Sequence, residues 1–426
     1  MKNIHVILLS YTNQSLKSAL MSLNLIKERV LDVTILRDEN ISSFPNYNEI
    51  IGKINYISIN NNDLGLTLNK LISNLSGQYI FFLNNQMLNS NVASLNLNLS
   101  NDQKVITYSQ ILKNKTIRLP FFIERDLLKD NKFSSKYELP FKEALLPSWL
   151  FKINKSYINH TNRKIFSEIN KHKTTNMIQK FNFMERYNSP SKKTTDNCST
   201  ISVMISNYNM ERYIGSALNS CLLQHRQFNQ ILVIDDGSTD NSWEKINEFS
   251  KYPHVKTLKK DNGGKAKALN HLLPYINTEF VLELDADDWL DPDATLIVGD
   301  ILRTVDKEVS VLYGNLRTWK QSSINNISYK GIATGKQIGN KSELISYPFP
   351  LGPRIYRTDL LKRNKGFPII QFENGRMYED VLVLNHLLKK GNLLYKDFTI
   401  YNVREHNSSI TKKNHPNWND FLKYLD

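Results

Sequence analysis

Asp285, Asp287 and Asp288 close an apolar run that reads F-V-L-E-L-D-A-D-D-W-L-D-P over 280–292. Carboxylates held this close repel one another, so the cluster asks for a positive partner, most simply a divalent metal carrying a phosphate. Other groups along the chain suit the same chemistry. Glu379 and Asp380 open the stretch E-D-V-L-V-L-N-H-L-L. A carboxylate there either caps the first helical turn or, facing a crevice, takes the proton of an incoming hydroxyl. In R-E-H-N-S-S, His406 offers the nitrogen ligand that an aspartate-rich metal site lacks, and Arg404 suits phosphate charge. Within D-N-G-G-K-A-K-A, Gly263 and Gly264 permit a turn and close approach to a ligand, and Lys265 at the next helix start favours phosphate. The spacing is not that of a P-loop.

These groups need a scaffold that gathers them. An apolar strand over 201–205 leads into Asn207, Tyr208 and Asn209, then a helix carries Ile214, Leu218 and Leu222. The next strand, 231–234, runs into D-D-G-S-T-D, and another helix begins near Ser242. Strand, helix and strand at this spacing form a βαβ unit. Ligands of open parallel sheets bind at the carboxyl ends of the strands, so Asn207, Tyr208, Asn209, Asp235, Asp236, Asp285 and Asp287 are expected on one rim. Asp240 suits a helix cap, while Asp235 or Asp236 can accept a hydrogen bond from a base ring.

The first half repeats this plan. Val6 to Tyr11 corresponds to Val203 to Tyr208, 33–38 to 231–236, and 79–87 to 280–288; the 119–129 segment echoes 352–362. Similarity at so large an offset implies duplication of a whole domain. The expected division is 1–186, a polar linker over 187–200, and 201–426. In the first copy Asn84, Asn85 and Gln86 stand where the acidic cluster should be, and amide oxygens hold a metal only weakly, so that copy is expected to be noncatalytic. Glu143 is a candidate counterpart of Asp380.

At 426 residues and 40% apolar content the chain can build two cores. A formal charge of +14 favours an anionic partner without choosing among nucleic acid, phosphorylated substrate, anionic polymer and the inner face of a membrane. Nucleic acid is disfavoured, since no recognition helix, zinc module or aromatic RNA-binding motif is evident. Polar Ser10, Thr12, Asn13 and Gln14 follow the short run 4–9, arguing against a secretory signal, and no run approaches the ~20 apolar residues of a membrane span. A cytoplasmic protein is expected, with peripheral association at the inner membrane face also open. Cys198 and Cys221 lack CxxC spacing and read as buried thiols.

Taken in order, N-Y-N at 207–209, I-L-V-I-D-D-G-S-T-D at 231–240, N-G-G-K-A with A-L-N at 262–270, D-A-D-D at 285–288, Glu379-Asp380, and Arg404-x-His406-x-x-Ser409 resemble the family 2 glycosyltransferases with the GT-A fold. The resemblance covers roughly residues 200–410. It implies an α/β protein of two nucleotide-diphospho-sugar transferase-like (GT-A) domains, each with a central, mostly parallel sheet flanked by helices, the first degenerate. It further implies a nucleotide-diphosphate sugar donor, most simply a UDP-sugar, and a role in cell-surface glycan biosynthesis. Asp235 or Asp236 would bind the nucleobase, Asp285 and Asp287 would flank the ribose and the metal-diphosphate, and Asn207, Tyr208, Asn209, Gly264, Lys265 and Arg404 would line the same site. Asp287 and His406 would hold Mn²⁺ or Mg²⁺, Asp288 and Glu379 would be accessory acids, and Asp380 would be the general base of an inverting displacement. The acceptor would be a hydroxyl-bearing glycan, glycoconjugate or anionic polymer. N-G-G-K-A resembles the form in processive membrane synthases, but their membrane helices and Q-x-x-R-W motif are missing here, which points to addition of one or a few sugars. The first copy would position an acceptor or mediate self-association. Two other readings stand beside this one: a noncatalytic carbohydrate- or anionic-polymer-binding protein, and a metal-dependent phospho- or nucleotidyltransferase.

Overall fold

The computed structural model describes residues 2–37, 54–100, 102–168, 174–188, 199–323, 326–348, 350–370, 372, 378–406 and 418–424. Asp38, most of the expected linker over 187–200, Cys198 and Ser409 lie outside the described residues. The chain divides into two compact units, Met1–Lys136 with Phe141–Asn188, and Tyr137–Pro140 with Ser189–Asp426. The grouping of 137–140 with the second unit has no signal in the sequence pattern.

In the first unit the sheet runs in the order Ile54–Ser58, Val30–Arg37, Ile4–Leu9, Tyr79–Asn84, Lys115–Glu124, Val105–Leu112, Ile158–Thr161. The first four strands are parallel, Lys115–Glu124 is antiparallel to both its neighbours, and the last pair is parallel. The second unit has the order Val255–Lys260, Gln230–Asp236, Ile201–Asn207, Phe280–Asp285, Arg354–Arg357, Val309–Ser323, Asn392–Glu405, with the same directions at each step. Trp289–Leu290 and Asn326–Ala333 are added to it. Register agrees as well: Ile4 faces Tyr79 and Leu9 faces Asn84, as Ile201 faces Phe280 and Ser206 faces Asp285. Each sheet is mixed, parallel on the side fed by βα crossovers and antiparallel around one inserted strand. In the second unit the inserted strand Arg354–Arg357 lies between Phe280–Asp285 and Val309–Ser323, both distant from it in the chain, which periodicity along one segment does not reveal.

In the second unit both faces of the sheet are covered. Val203, Ile205, Leu282 and Leu284 pack on one face with helices Ile214–Leu222 and Ala294–Leu302. Met204, Leu232, Ile234 and Val281 pack on the other with helices Lys265–Leu272 and Glu379–Leu388. Alternate residues of a strand point to opposite faces, so a strand covered on both sides reads as continuously apolar. Cys221 is buried in the first of these clusters, as its reading as an inert thiol requires.

The first unit buries a histidine deep in its sheet. His5 is 2% exposed, with Nε2 2.8 Å from Thr34 Oγ1. Burial pushes its imidazole down to about 4, against the opposing pull of Asp32. Between that value and the usual 6.5 the unfolded chain holds the proton and the folded chain does not, so stability is lost as pH falls through this window. The loss amounts to about 3 kcal/mol in all. Urea unfolding of the full chain from pH 7 to pH 4 should show this acid loss in the wild type and a shallower one in His5→Gln; equal slopes would remove His5 as its source.

Candidate active site

Three parallel strands end side by side, and their register sets the site. Asn207 faces Asp235 at the ends of Ile201–Asn207 and Gln230–Asp236, and Ser206 faces Asp285 on the other side. Every residue expected on the rim therefore sits at one edge of the sheet, with one qualification. Asp235 and Asp236 are buried at 0% and 2% exposure, and their carboxylates are taken by protein donors. Asp235 accepts from Asn207 Nδ2 at 2.9 Å, from the Ser238 hydroxyl and from Ser238 N–H. Asp236 accepts from Lys260 Nζ at 2.6 Å, Gly263 N–H at 3.0 Å and Gly264 N–H at 2.7 Å. Gly264 stands at φ 92° to start helix Lys265–Leu272, a backbone that a Cβ would oppose. The amides of the glycines expected to approach a ligand thus hold Asp236, and the glycine turn braces the strand end. Asn209 accepts from Thr239 N–H at 2.8 Å, while Tyr208 remains 44% exposed.

The acidic tip finds three different partners. Asp285 Oδ1 lies 2.6 Å from Lys265 Nζ, and Lys265 also reaches Glu283 at 2.9 Å and Glu379 at 3.6 Å. Burial alone would lower the lysine's affinity for its proton, but Asp285, Glu283 and Glu379 together hold it well above the usual lysine range. Asp287 Oδ2 lies 3.0 Å from His406 Nε2. Asp288 turns inward, accepting from Arg404 N–H at 2.7 Å; burial, then the charges of Asp287 and Asp285, push its carboxyl well up. Arg404 points away from open solvent: its guanidinium donates to the Asp287 carbonyl at 2.8 Å, to Gln321 at 2.6 Å and to Ser216 at 3.1 Å. It also lies over the rings of Tyr213 and Trp289. Arg404 is therefore a brace for the aspartate loop in this arrangement, 5% exposed, and not a free cation on the rim.

Arg354 links the two halves of the site. Its guanidinium forks onto Glu283 with two bonds of 2.9 Å, lies 3.8 Å from Asp285 Oδ2, and lies 3.5 Å from Asp380 Oδ2. Asp285 and Asp380 thus face a common cation although they lie far apart in sequence. Glu379, beside Asp380, is 9% exposed; burial raises its carboxyl to about 7, with Lys265 opposing and Asp380 adding to the rise. Glu283 would also rise on burial, but Arg354 and Lys265 hold it well below the usual carboxylate range.

For a divalent cation the available donors are Asp287 and His406, an oxygen and a nitrogen already 3.0 Å apart, with Tyr213 stacked on the imidazole at 4.7 Å. Among the described residues no cluster of three or more His, Cys, Asp or Glu suits a metal ion. A cation held by this pair would have to take the rest of its shell from water or a bound anion.

Glu283, Arg354, Tyr356 and Tyr401 have no place in the sequence reading. Tyr356 donates to Glu283 at 2.8 Å, and the Tyr401 hydroxyl accepts from Asp285 N–H at 3.0 Å. Glu283 carried a signal, since an acid inside an otherwise apolar strand must find a buried cation.

Comparison with known proteins bears on this geometry. The Glycosyl transferase family 2 profile matches residues 202–363, which include the strand ends, Lys265, the aspartate tip and Arg354. The second unit contains a family 2 glycosyltransferase domain. An uncharacterised glycosyltransferase of Nostoc is 29% identical over 222 residues, 50% of this chain and 67% of that protein. Chondroitin synthase of Pasteurella multocida is 35% identical over 115 residues, 26% of this chain and only 12% of the enzyme. The crystal structure of Staphylococcus aureus TarS 1-349 in complex with UDP-GlcNAc covers 53% of this chain and 65% of its own, at 21% identity and a TM-score of 0.41. The glycosyltransferase domain is of the nucleotide-sugar-binding, GT-A-like kind, and no described helix is long and apolar enough to cross a membrane.

The first unit has a different filling at the corresponding strand end. Gln86, at the position of Asp287, is 5% exposed; its side-chain oxygen accepts from Tyr108 at 3.0 Å and its N–H donates to the Tyr11 hydroxyl at 3.0 Å. Strand Gln86–Leu88 is closed by Phe166–Glu168, and Phe166 packs on Tyr108. Glu143 is paired with Lys180 at 2.9 Å.

In the glycosyltransferase domain Arg354 keeps Glu283, 1% exposed, ionised in an apolar strand. Arg354→Met should cost up to about 3–5 kcal/mol in chemical unfolding, because it removes the forked partner of that charge and leaves Lys265, shared with Asp285 and Glu379, to face it. Glu283→Met combined with Arg354→Met should recover a large part of the loss; a double variant no better than the single one would argue against the pair as a unit.

Proposed function

We propose that this chain is an inverting glycosyltransferase that moves a sugar from a nucleotide-diphosphate donor, UDP-linked in the simplest case, to an acceptor hydroxyl. The observation that carries this reading is Arg354, 3.8 Å from Asp285 on the donor side and 3.5 Å from Asp380 on the acceptor side, within a family 2 glycosyltransferase domain. Asp287 and His406 would hold Mn²⁺ or Mg²⁺, which when bound supplies positive charge against a diphosphate. Asp235 and Asp236, tied down by Ser238, Lys260 and the glycine turn, shape the floor of the nucleotide site, and exposed Tyr208 flanks it.

In the transfer, the Asp380 carboxylate takes the acceptor hydroxyl proton as that oxygen attacks the anomeric carbon. The bond from that carbon to the diphosphate breaks on the opposite face, and the leaving group departs with the electron pair. One displacement inverts the configuration. Arg354 faces Asp380 with a buried guanidinium at 3.5 Å, which sets the place of the base beside the donor-side acids. Glu379, raised to about 7, shares Lys265 with Asp285 and couples the two sides.

The first unit is proposed as a noncatalytic partner domain that positions the acceptor or mediates self-association. Its tyrosine- and phenylalanine-filled strand end supports this, since no acid stands at the place of Asp285 or Asp287. The +14 charge is compatible with peripheral attachment to an anionic membrane face, and acceptors would be glycans, glycoconjugates or anionic polymers.

A panel of nucleotide sugars with Mn²⁺, scored for nucleotide-diphosphate release, is the direct test; a chain that turns over none of them is not a transferase of this kind. Asp380→Asn keeps the shape and loses basicity, so turnover should fall about 10²–10⁴-fold with UDP affinity nearly unchanged. Asp287→Ala should instead move the Mn²⁺ titration midpoint on the order of tenfold or more. An unmoved midpoint would take Asp287 out of the metal site.

A further inference from the structure

The helix that carries Glu379 and Asp380 starts from a residue in a strained conformation. Tyr378 caps it at φ 59° and ψ 21°, the left-handed region, with no side-chain capping bond. A bulky aromatic residue stays there only where its surroundings hold it. Those surroundings are other rings. Phe421 lies 4.4 Å from Tyr378 between centroids, Trp418 5.1 Å and Phe372 6.1 Å. Phe421 is fully buried and packs in one cluster with Leu382, in the first turn of the same helix, and with Ile345 and Ile370. Trp418–Phe421 is a short helix beyond residues 202–363, so it belongs to a part of the chain outside the matched family segment.

We propose that residues 418–424 form an aromatic latch that holds Tyr378 in its left-handed cap and thereby aims Asp380, which makes Phe421 and Tyr378 positioning residues for transfer. The latch acts through short links. Tyr378 C=O accepts the N–H of Leu382 at 3.1 Å, so the cap sets the direction of the first turn. Asp380 in that turn presents Oδ1 to its neighbour's N–H at 2.9 Å and Oδ2 to Arg354 at 3.5 Å. If the cap relaxes to an ordinary backbone, the first turn rotates and Asp380 leaves that position, while the donor-side groups on the strands and on helix Lys265–Leu272 stay where they are. The catalytic part of this inference rests on Asp380 being the base; the mechanical part does not.

The test uses the full chain with Phe421→Ala and Phe421→Leu, read by hydrogen exchange and by kinetics with Mn²⁺ and the donor found in the panel. In Phe421→Ala the amides at the start of Glu379–Leu388 should exchange about tenfold faster, with those of Lys265–Leu272 unchanged. Its kcat should fall roughly tenfold to a hundredfold while UDP affinity stays within about twofold, and Phe421→Leu, which keeps apolar volume, should recover most of both. Unchanged exchange at Glu379–Leu388 overturns the latch, as does acceleration throughout the second unit or a parallel fall in kcat and UDP affinity. A wild type that turns over no donor overturns the transferase reading instead, and the exchange data still decide whether the latch exists.

Discussion

Everything at the polar strand ends of the second unit depends on neutralising buried acid. Glu283 sits inside the sheet, Asp285 at its end, and Glu379 at the start of a helix from a distant segment, yet Lys265 lies within 3.6 Å of all three. Arg354 adds a second cation to the same group and extends it to Asp380. Without these two cations the carboxylates would repel one another in a medium of low dielectric, and the strand end would have to open or take up protons. With them, the same charges become a scaffold that ties two sheet strands, a glycine turn and a helix into one site.

That arrangement separates the aspartates by duty. Asp235 and Asp236 are saturated by hydroxyl, amide and ammonium donors and hold loops. Asp288 is drawn inward by the Arg404 backbone, and its burial favours the neutral acid. Among the described acids gathered at these strand ends, Asp287 and Asp380 face no lysine and keep side-chain exposures of 21% each. A motif of consecutive acids thus becomes a few outward groups supported by inward ones, as a preorganised site requires.

The strand order common to the two units has a physical reading. Both sheets place seven strands in the same order and directions, with matching register at the central pair. In the second unit the end of the central strand carries charge and is kept open by cations. In the first, Gln86, Tyr11, Tyr108 and Phe166 fill the same place with neutral side chains. Filling that strand end with aromatic rings contributes apolar burial in the place of charge pairing.

The sequence by itself determined which strands of the second unit end in polar residues, that the strand plan recurs in the first half, and where the acids and glycines fall along the chain, because those features are local patterns of hydrophobic period and of motif order. It also carried an unread sign in Glu283, an acid in a buried strand. Only the tertiary structure decided which acid faces which cation. Arg354 reaches Glu283, Asp285 and Asp380 because Arg354–Arg357 enters the sheet antiparallel beside Phe280–Asp285, and Arg404 turns to Asp288 because Asn392–Glu405 runs on to the aspartate loop. Such pairings join residues far apart in the chain, and their strength depends on burial and distance, which no spacing along a sequence encodes.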